Sequence, residues 1–134
     1  GVLIGSSGSI RMKQLIRYSK GFPKPGKDIY SWAVLELAPW MWKLLDDSHY
    51  KKDKELTDVR FLIGLRGKLF TIEYDIQIGD CPLGYMAIGS GGNVALGSLF
   101  STIGQPPKRR IKKALAAAEQ HITTVRRPMF IMEN

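Results

Sequence analysis

One stretch constrains the fold of this chain more than any other: Tyr85-Met86-Ala87-Ile88-Gly89-Ser90-Gly91-Gly92-Asn93-Val94-Ala95-Leu96-Gly97-Ser98-Leu99-Phe100. Tyr85 to Ile88 reads as a short buried strand. Gly89 to Gly92 permit a turn where a Cβ would clash, and Ala95, Leu96, Leu99 and Ile103 then keep helical spacing. A turn so placed sits at a helix N-terminus, where backbone N–H groups lack intrahelical partners and carry partial positive charge. The pattern therefore predicts a corner at which Gly89, Gly91 and Gly92 could receive a carboxylate, phosphate or oxyanion, with the Ser90 hydroxyl beside it. A tight strand-to-helix corner that binds nothing would carry the same residues. The dinucleotide fingerprint is excluded, because its third glycine would fall on Val94, and no lysine follows as a phosphate-binding loop requires.

The length of 134 residues suits one domain, 1–134, able to bury a real core. No apolar run is long enough to cross a bilayer, and Gly1-Val2-Leu3-Ile4-Gly5 is too short and lacks the basic flank of a signal peptide. A soluble, cytoplasmic protein without a membrane partner is expected. The one cysteine, Cys81, has no CxxC partner and no neighbouring histidine, which argues against a catalytic thiol. The formal charge of +8 raises nucleic acid as a partner, with basic residues at Lys108-Arg109-Arg110, Lys112-Lys113 and Arg126-Arg127, while Lys51 to Glu55 mixes signs. No stacking aromatics alternate with these clusters and no helix-turn-helix or zinc-finger spacing occurs, so a solvated helix face accounts for them better than a nucleic-acid site.

In chain order, Val2 to Ile4 reads as a strand whose first-residue start suggests a fragment or processed product. Ser9 is placed to cap a helix carrying Ile10, Lys13, Gln14, Leu15 and Tyr18, and Gly21 to Gly26 form a proline-glycine loop. Asp28 caps a second helix, with Tyr30 or Trp32 and then Val34, Leu35, Leu37, Trp40, Met41, Leu44 and Leu45 on its apolar face; Pro39 predicts a kink near Leu35 to Ala38. Lys51 to Asp58 reads as a polar loop with room for a helical turn, and Phe61–Leu65, the turn Arg66-Gly67 and Lys68–Tyr74 as a hairpin. After the Ser90 corner and its helix, Gly104 to Pro107 break the chain, and Pro107 opens a helix over Lys108 to Ile122 with the stripe Ile111, Ala114, Leu115, Ala118 and Ile122. Pro128 to Met132 reads as a closing strand.

A hairpin and strands interleaved with helices describe an α+β sheet with helices on its faces. At this level a resemblance enters. The run Phe61 to Glu73, followed by Ala87-Ile88-Gly89-Ser90-Gly91-Gly92 and a small-residue helix, resembles the second half of the proteasome-type N-terminal-nucleophile hydrolases, most of all the bacterial HslV-type peptidases. Val2 to Gly5, with the small residues and helix after it, is similar to that family's strand and first long helix, so the resemblance covers nearly the whole chain.

The resemblance implies a four-layer α-β-β-α sandwich, here without its amino-terminal strands. It further implies threonine-type peptidase chemistry in which an N-terminal threonine is nucleophile and, through its amine, its own base. Of that machinery only Ser90, in a supporting role, and the glycines at 89, 91 and 92 carry over to this chain. Gly1 has neither hydroxyl nor thiol, and the chain alone is expected to be inactive. A homo-oligomer, a peptide or protein substrate and an ATP-dependent unfoldase are the partners implied, and Trp32, Trp40 and Trp42 are candidates for core or subunit packing. No cofactor is implied. The family's monovalent-cation site after the last helix is put in doubt by Glu119-Gln120-His121.

His49 and His121 lack paired metal-ligand spacing, so no metal site is expected. Asp46-Asp47 and Asp53 with Glu55 read as solvated caps. Ser6, Ser7 and Ser9 have no partnered base, and Thr123-Thr124 read as satisfying backbone groups at a helix end. A non-catalytic structural or interaction subunit of the same fold is the alternative to the enzyme.

Overall fold

The computed structural model describes residues 1–47 and 59–133. Lys51 to Asp58, Asp53, Glu55 and His49 lie outside the described residues. A four-stranded antiparallel sheet runs in the order β1 (Leu3–Ser7), β2 (Arg60–Leu65), β3 (Lys68–Ile72), β4 (Ile78–Asp80). The β2–β3 hairpin closes over Arg66 and Gly67, both at positive φ (48° and 74°), the backbone that a two-residue hairpin turn needs. Ile4 pairs with Ile63, which pairs in turn with Phe70, so these three occupy one face.

That face meets the helices. α1 (Ile10–Tyr18) follows β1, and α2 (Ile29–Trp32) continues through a π-helical turn, Ala33–Leu37, into α3 (Ala38–Asp47). Pro39 explains the π turn: it has no N–H to offer the carbonyl four residues back, and its ring would crowd that carbonyl, so the helix widens immediately before it. Phe61, Ile63, Leu65, Phe70 and Ile72 of the sheet bury against Met12, Trp32, Ala33, Leu37, Met41 and Leu45. Trp32 is core, with Phe22 between its ring and that of Trp40 at centroid distances of 6.2 and 5.3 Å. The helix face therefore differs from the sequence reading: Val34 and Leu35 point to solvent, since the π turn rotates them away from the sheet; Trp40 and Trp42 are half-buried.

A second, smaller cluster lies between α4 (Gly92–Ser101) and α5 (Pro107–His121), where Ala95, Leu99 and Ala114 pack with Tyr85 and Ala87. Arg110 ties the pair together, donating to the Leu99 carbonyl at 2.6 Å with its guanidinium 4.9 Å from the centre of the Tyr85 ring. Among the described residues no helix is long and apolar enough to cross a membrane.

Three expectations are corrected. Tyr85 to Ile88 and Pro128 to Met132 form no strand; a ladder needs a neighbouring strand, and the sheet ends at β1 and β4 without reaching either segment. Phe130 is 82% exposed, consistent with a segment that packs on little. The three-residue β4 was missed because Ile78-Gly79-Asp80 carries almost no strand signal; Gly79 is there because a Cβ would run into the Thr71 hydroxyl. Ser9 does sit at the helix start but its side chain makes no capping bond.

Asp28 is a working cap. Its carboxylate accepts from the amides of Tyr30 and Ser31 at 3.0 and 3.2 Å and from the Ser31 hydroxyl at 2.6 Å. The Ser31 hydroxyl, with the two amides, holds the carboxyl pKa below its ordinary 3.8. A depressed folded-state pKa means that this contribution is complete above the unfolded value and fades as pH falls through the lower folded one. Asp28→Ala is therefore expected to lower the melting temperature at pH 7, with the difference from the parent chain shrinking as the pH falls below the ordinary carboxylate range; a melting-temperature difference that stays constant from pH 7 to 2 would show that the charge plays no part.

Candidate functional site

The turn at 89–92 is built as its glycines require. Gly89 has φ +95°, where a side chain would be strained, and the Gly92 amide donates to the Gly89 carbonyl at 2.9 Å. That amide is thus engaged within the turn and is not offered to a ligand. The end of β1 lies alongside, since a Cβ on Gly89 would come 3.4 Å from the Cβ of Ser7. Gly91 is the tightest point: a Cβ there would stand 2.9 Å from both Ala118 Cβ of α5 and Val125 Cγ2 beyond it.

This approach brings Ser90 to Thr124. Their hydroxyls hydrogen-bond at 2.7 Å, both on exposed residues. Thr124 lies in a turn closed by the Val125 amide on the Ile122 carbonyl at 3.0 Å, so its side chain faces another hydroxyl rather than the helix-end backbone expected for it. Sequence reading missed the pair because the partners are 34 residues apart and nothing in the local pattern of Thr123-Thr124 marks one hydroxyl over the other. The indirect signal was Gly91, which announces that something must come close.

The turn around Thr124 is fastened to α5. Arg127 donates from its main-chain amide and Nε to the Glu119 carboxylate at 3.2 and 3.0 Å, which holds the Glu119 carboxyl below its ordinary pKa, and Arg126 donates to carbonyls of the same region. Among the described residues, Thr124 is the hydrogen-bond partner of the Ser90 hydroxyl, and no histidine, lysine or carboxylate reaches it. The arrangement can orient a hydroxyl; it has no base with which to activate one. Cys81 is buried, and burial together with Asp80 pushes its thiol pKa up, away from a reactive thiolate. Among the described residues no group of three His, Cys, Asp or Glu side chains comes together.

No protein-family model and no curated protein matches the chain. Solved structures do. BPH of Thiobacillus denitrificans, determined in complex with epoxomicin, superposes with a TM-score of 0.76 at 17% identity over 95% of this chain and 71% of its own. HslV of Trypanosoma brucei gives 0.63 at 21% identity over 93% of this chain and 71% of that one. The fold is that of the HslV-type proteasome-like proteins. Anbu, the ancestral beta-subunit from Yersinia bercovieri, extends the set at a TM-score of 0.57 and 13% identity, over 92% of this chain and 57% of its own. At such identities the likeness is one of backbone.

In this proteasome-like fold the approach at Gly91 decides whether Ser90 and Thr124 meet. Gly91→Ala is expected to destabilise by about 1–3 kcal/mol, the ordinary result of forcing a methyl into a filled space. Gly97, inside α4 with nothing within 4 Å of a Cβ, is the control: Gly97→Ala should stabilise by about 0.5–1 kcal/mol. Urea unfolding of the two variants checks this, and equal behaviour would show that the 2.9 Å approach is not a constraint.

Proposed function

We propose that the protein is a proteasome-like N-terminal-nucleophile hydrolase, cleaving peptide or protein substrates, in which residues 1–134 supply one sheet, the helices covering it and the Ser90 turn. The observation that carries this is the superposition of 95% of the chain on one HslV-type structure, with Ser90 held at the start of α4 by Thr124. In this reading the second sheet of a four-layer α-β-β-α sandwich lies on the face of Leu3, Leu62 and Leu69, which is half-buried, and 1–134 is a partial domain. In this reading Ser90 is not the nucleophile, since no base is bonded to its hydroxyl. Ser90 then supports: its hydroxyl, oriented by Thr124, meets an incoming amine or oxyanion. A homo-oligomer and an ATP-dependent unfoldase belong to the same reading, as does a cytoplasmic location.

The alternative, a non-catalytic subunit of the same fold, is favoured by one observation: no described side chain is an activated nucleophile. Turnover of short fluorogenic peptides by the full-length gene product separates the two. The enzyme reading expects activity from that product, none from residues 1–134 alone, and a loss on the order of a hundredfold for Ser90→Ala with the melting temperature nearly unchanged. Thr124→Val should fall between the two, since it disorients the hydroxyl without removing it. A full-length product without peptidase activity, or one whose Ser90→Ala variant turns over normally and melts lower, supports the structural subunit.

A further inference from the structure

The last turn of α5 and the loop after it converge three main-chain carbonyl oxygens on one atom. Nη1 of Arg126 donates to the Val125 carbonyl at 2.8 Å and to those of Glu119 and Ile122 at 3.3 Å each. Glu119 lies in the last turn of α5, where the final carbonyls have no amide partners within the helix and carry partial negative charge; Ile122 caps that helix, its carbonyl also accepting from the Val125 amide, and Val125 lies in the turn beyond. Carbonyl oxygens converging in this way can surround a cation, and neutral carbonyls suit one positive charge better than two. The Glu119 carboxylate turns instead to Arg127.

The monovalent-cation site that the family resemblance implies for this loop does not fit the residues present, because the oxygens available to an ion are engaged by a side chain. We infer that Arg126 is a tethered cation: its guanidinium takes the place of a monovalent metal ion at the end of α5 and fixes the Thr124 turn without one. A guanidinium keeps its charge at every pH the protein will meet. An ion, by contrast, would occupy these carbonyls only in proportion to its concentration. The turn held in this way carries Thr124 to Ser90 and Val125 to Gly91, so the ion independence extends to the candidate site. Arg126 makes these bonds whether or not the protein cleaves peptides.

Thermal melting of the full-length protein in potassium chloride, sodium chloride and tetramethylammonium chloride at equal ionic strength tests this without an activity assay. The parent protein should melt at the same temperature in all three. Arg126→Ala should melt about 2–5 °C lower in tetramethylammonium chloride and recover at least half of that in the potassium or sodium salt, as the vacated carbonyls take the metal. If Arg126→Ala does not fold, Arg126→Gln, neutral and of similar length, should show the same salt response, and Arg126→Lys, which keeps a charge, should not. Stabilisation of the parent protein by potassium or sodium over tetramethylammonium would overturn the inference, since an ion would then bind beside the arginine. Variants that melt like the parent, or lower but alike in all three salts, would overturn it equally.

Discussion

The contact that the candidate site depends on is an absence of atoms at Gly91. Ala118 and Val125 close onto this residue to a distance that no side chain would allow, and the closure sets the N-terminal end of α4 against the C-terminal end of α5. Two hydroxyls that the chain separates by 34 residues then lie within a hydrogen bond of each other. The α4–α5 pair needs such local fastening because its own core is slight. Ala95, Leu99 and Ala114 remove little apolar surface from water compared with Trp32, Phe61 and Phe70 under the main sheet. The polar ties of Arg110 to Leu99, and of Arg126 and Arg127 to the end of α5, supply the register that bulky side chains would otherwise impose.

The main sheet shows the opposite economy. Every large buried side chain of the principal cluster lies on the helix side, and the other face carries Leu3, Leu62 and Leu69 only half out of water, with Gly64 between them. A sheet with one face packed and the other open ordinarily alternates apolar with charged residues. Here the open face carries Leu3, Gly5, Leu62, Gly64 and Leu69, with Arg60 and Ser7 at one end and Thr71 buried beside Leu62.

How much of this was legible follows from the range of the forces involved. The β2–β3 hairpin, the Asp28 cap, the disturbance at Pro39 and the start of α5 at Pro107 are effects of neighbours within a few residues, and the sequence states them directly. The glycine turn at 89–92 was legible for the same reason, because positive φ at Gly89 and the crowding at Gly91 are demands on single residues. Tyr85 to Ile88 and Pro128 to Met132 have the residue types of strands, yet whether such a segment becomes a strand is decided by a partner elsewhere in the chain. The Ser90–Thr124 pair and the three carbonyls around Arg126 fall in the same class. Both depend on how α5 ends against α4, and no period in either helix records that.

The chemistry of the hydroxyl pair follows from counting its protons. Ser90 and Thr124 have one each, and the bond between them uses one. If Thr124 donates, the Ser90 oxygen is an acceptor whose own proton points away from the pair. A hydroxyl that already accepts a hydrogen bond is polarised to donate a stronger one. In that orientation Thr124 fixes the Ser90 oxygen, and the Ser90 O–H points outward from an exposed corner, where it can donate to an acceptor. The opposite orientation would direct the outward proton from Thr124 instead, on a turn that Arg126 and Arg127 clamp to α5, so either way one oriented O–H faces solvent from a rigid support. Nucleophilic attack needs the reverse arrangement, a base that removes the proton, and the exposed pair has none bonded to it.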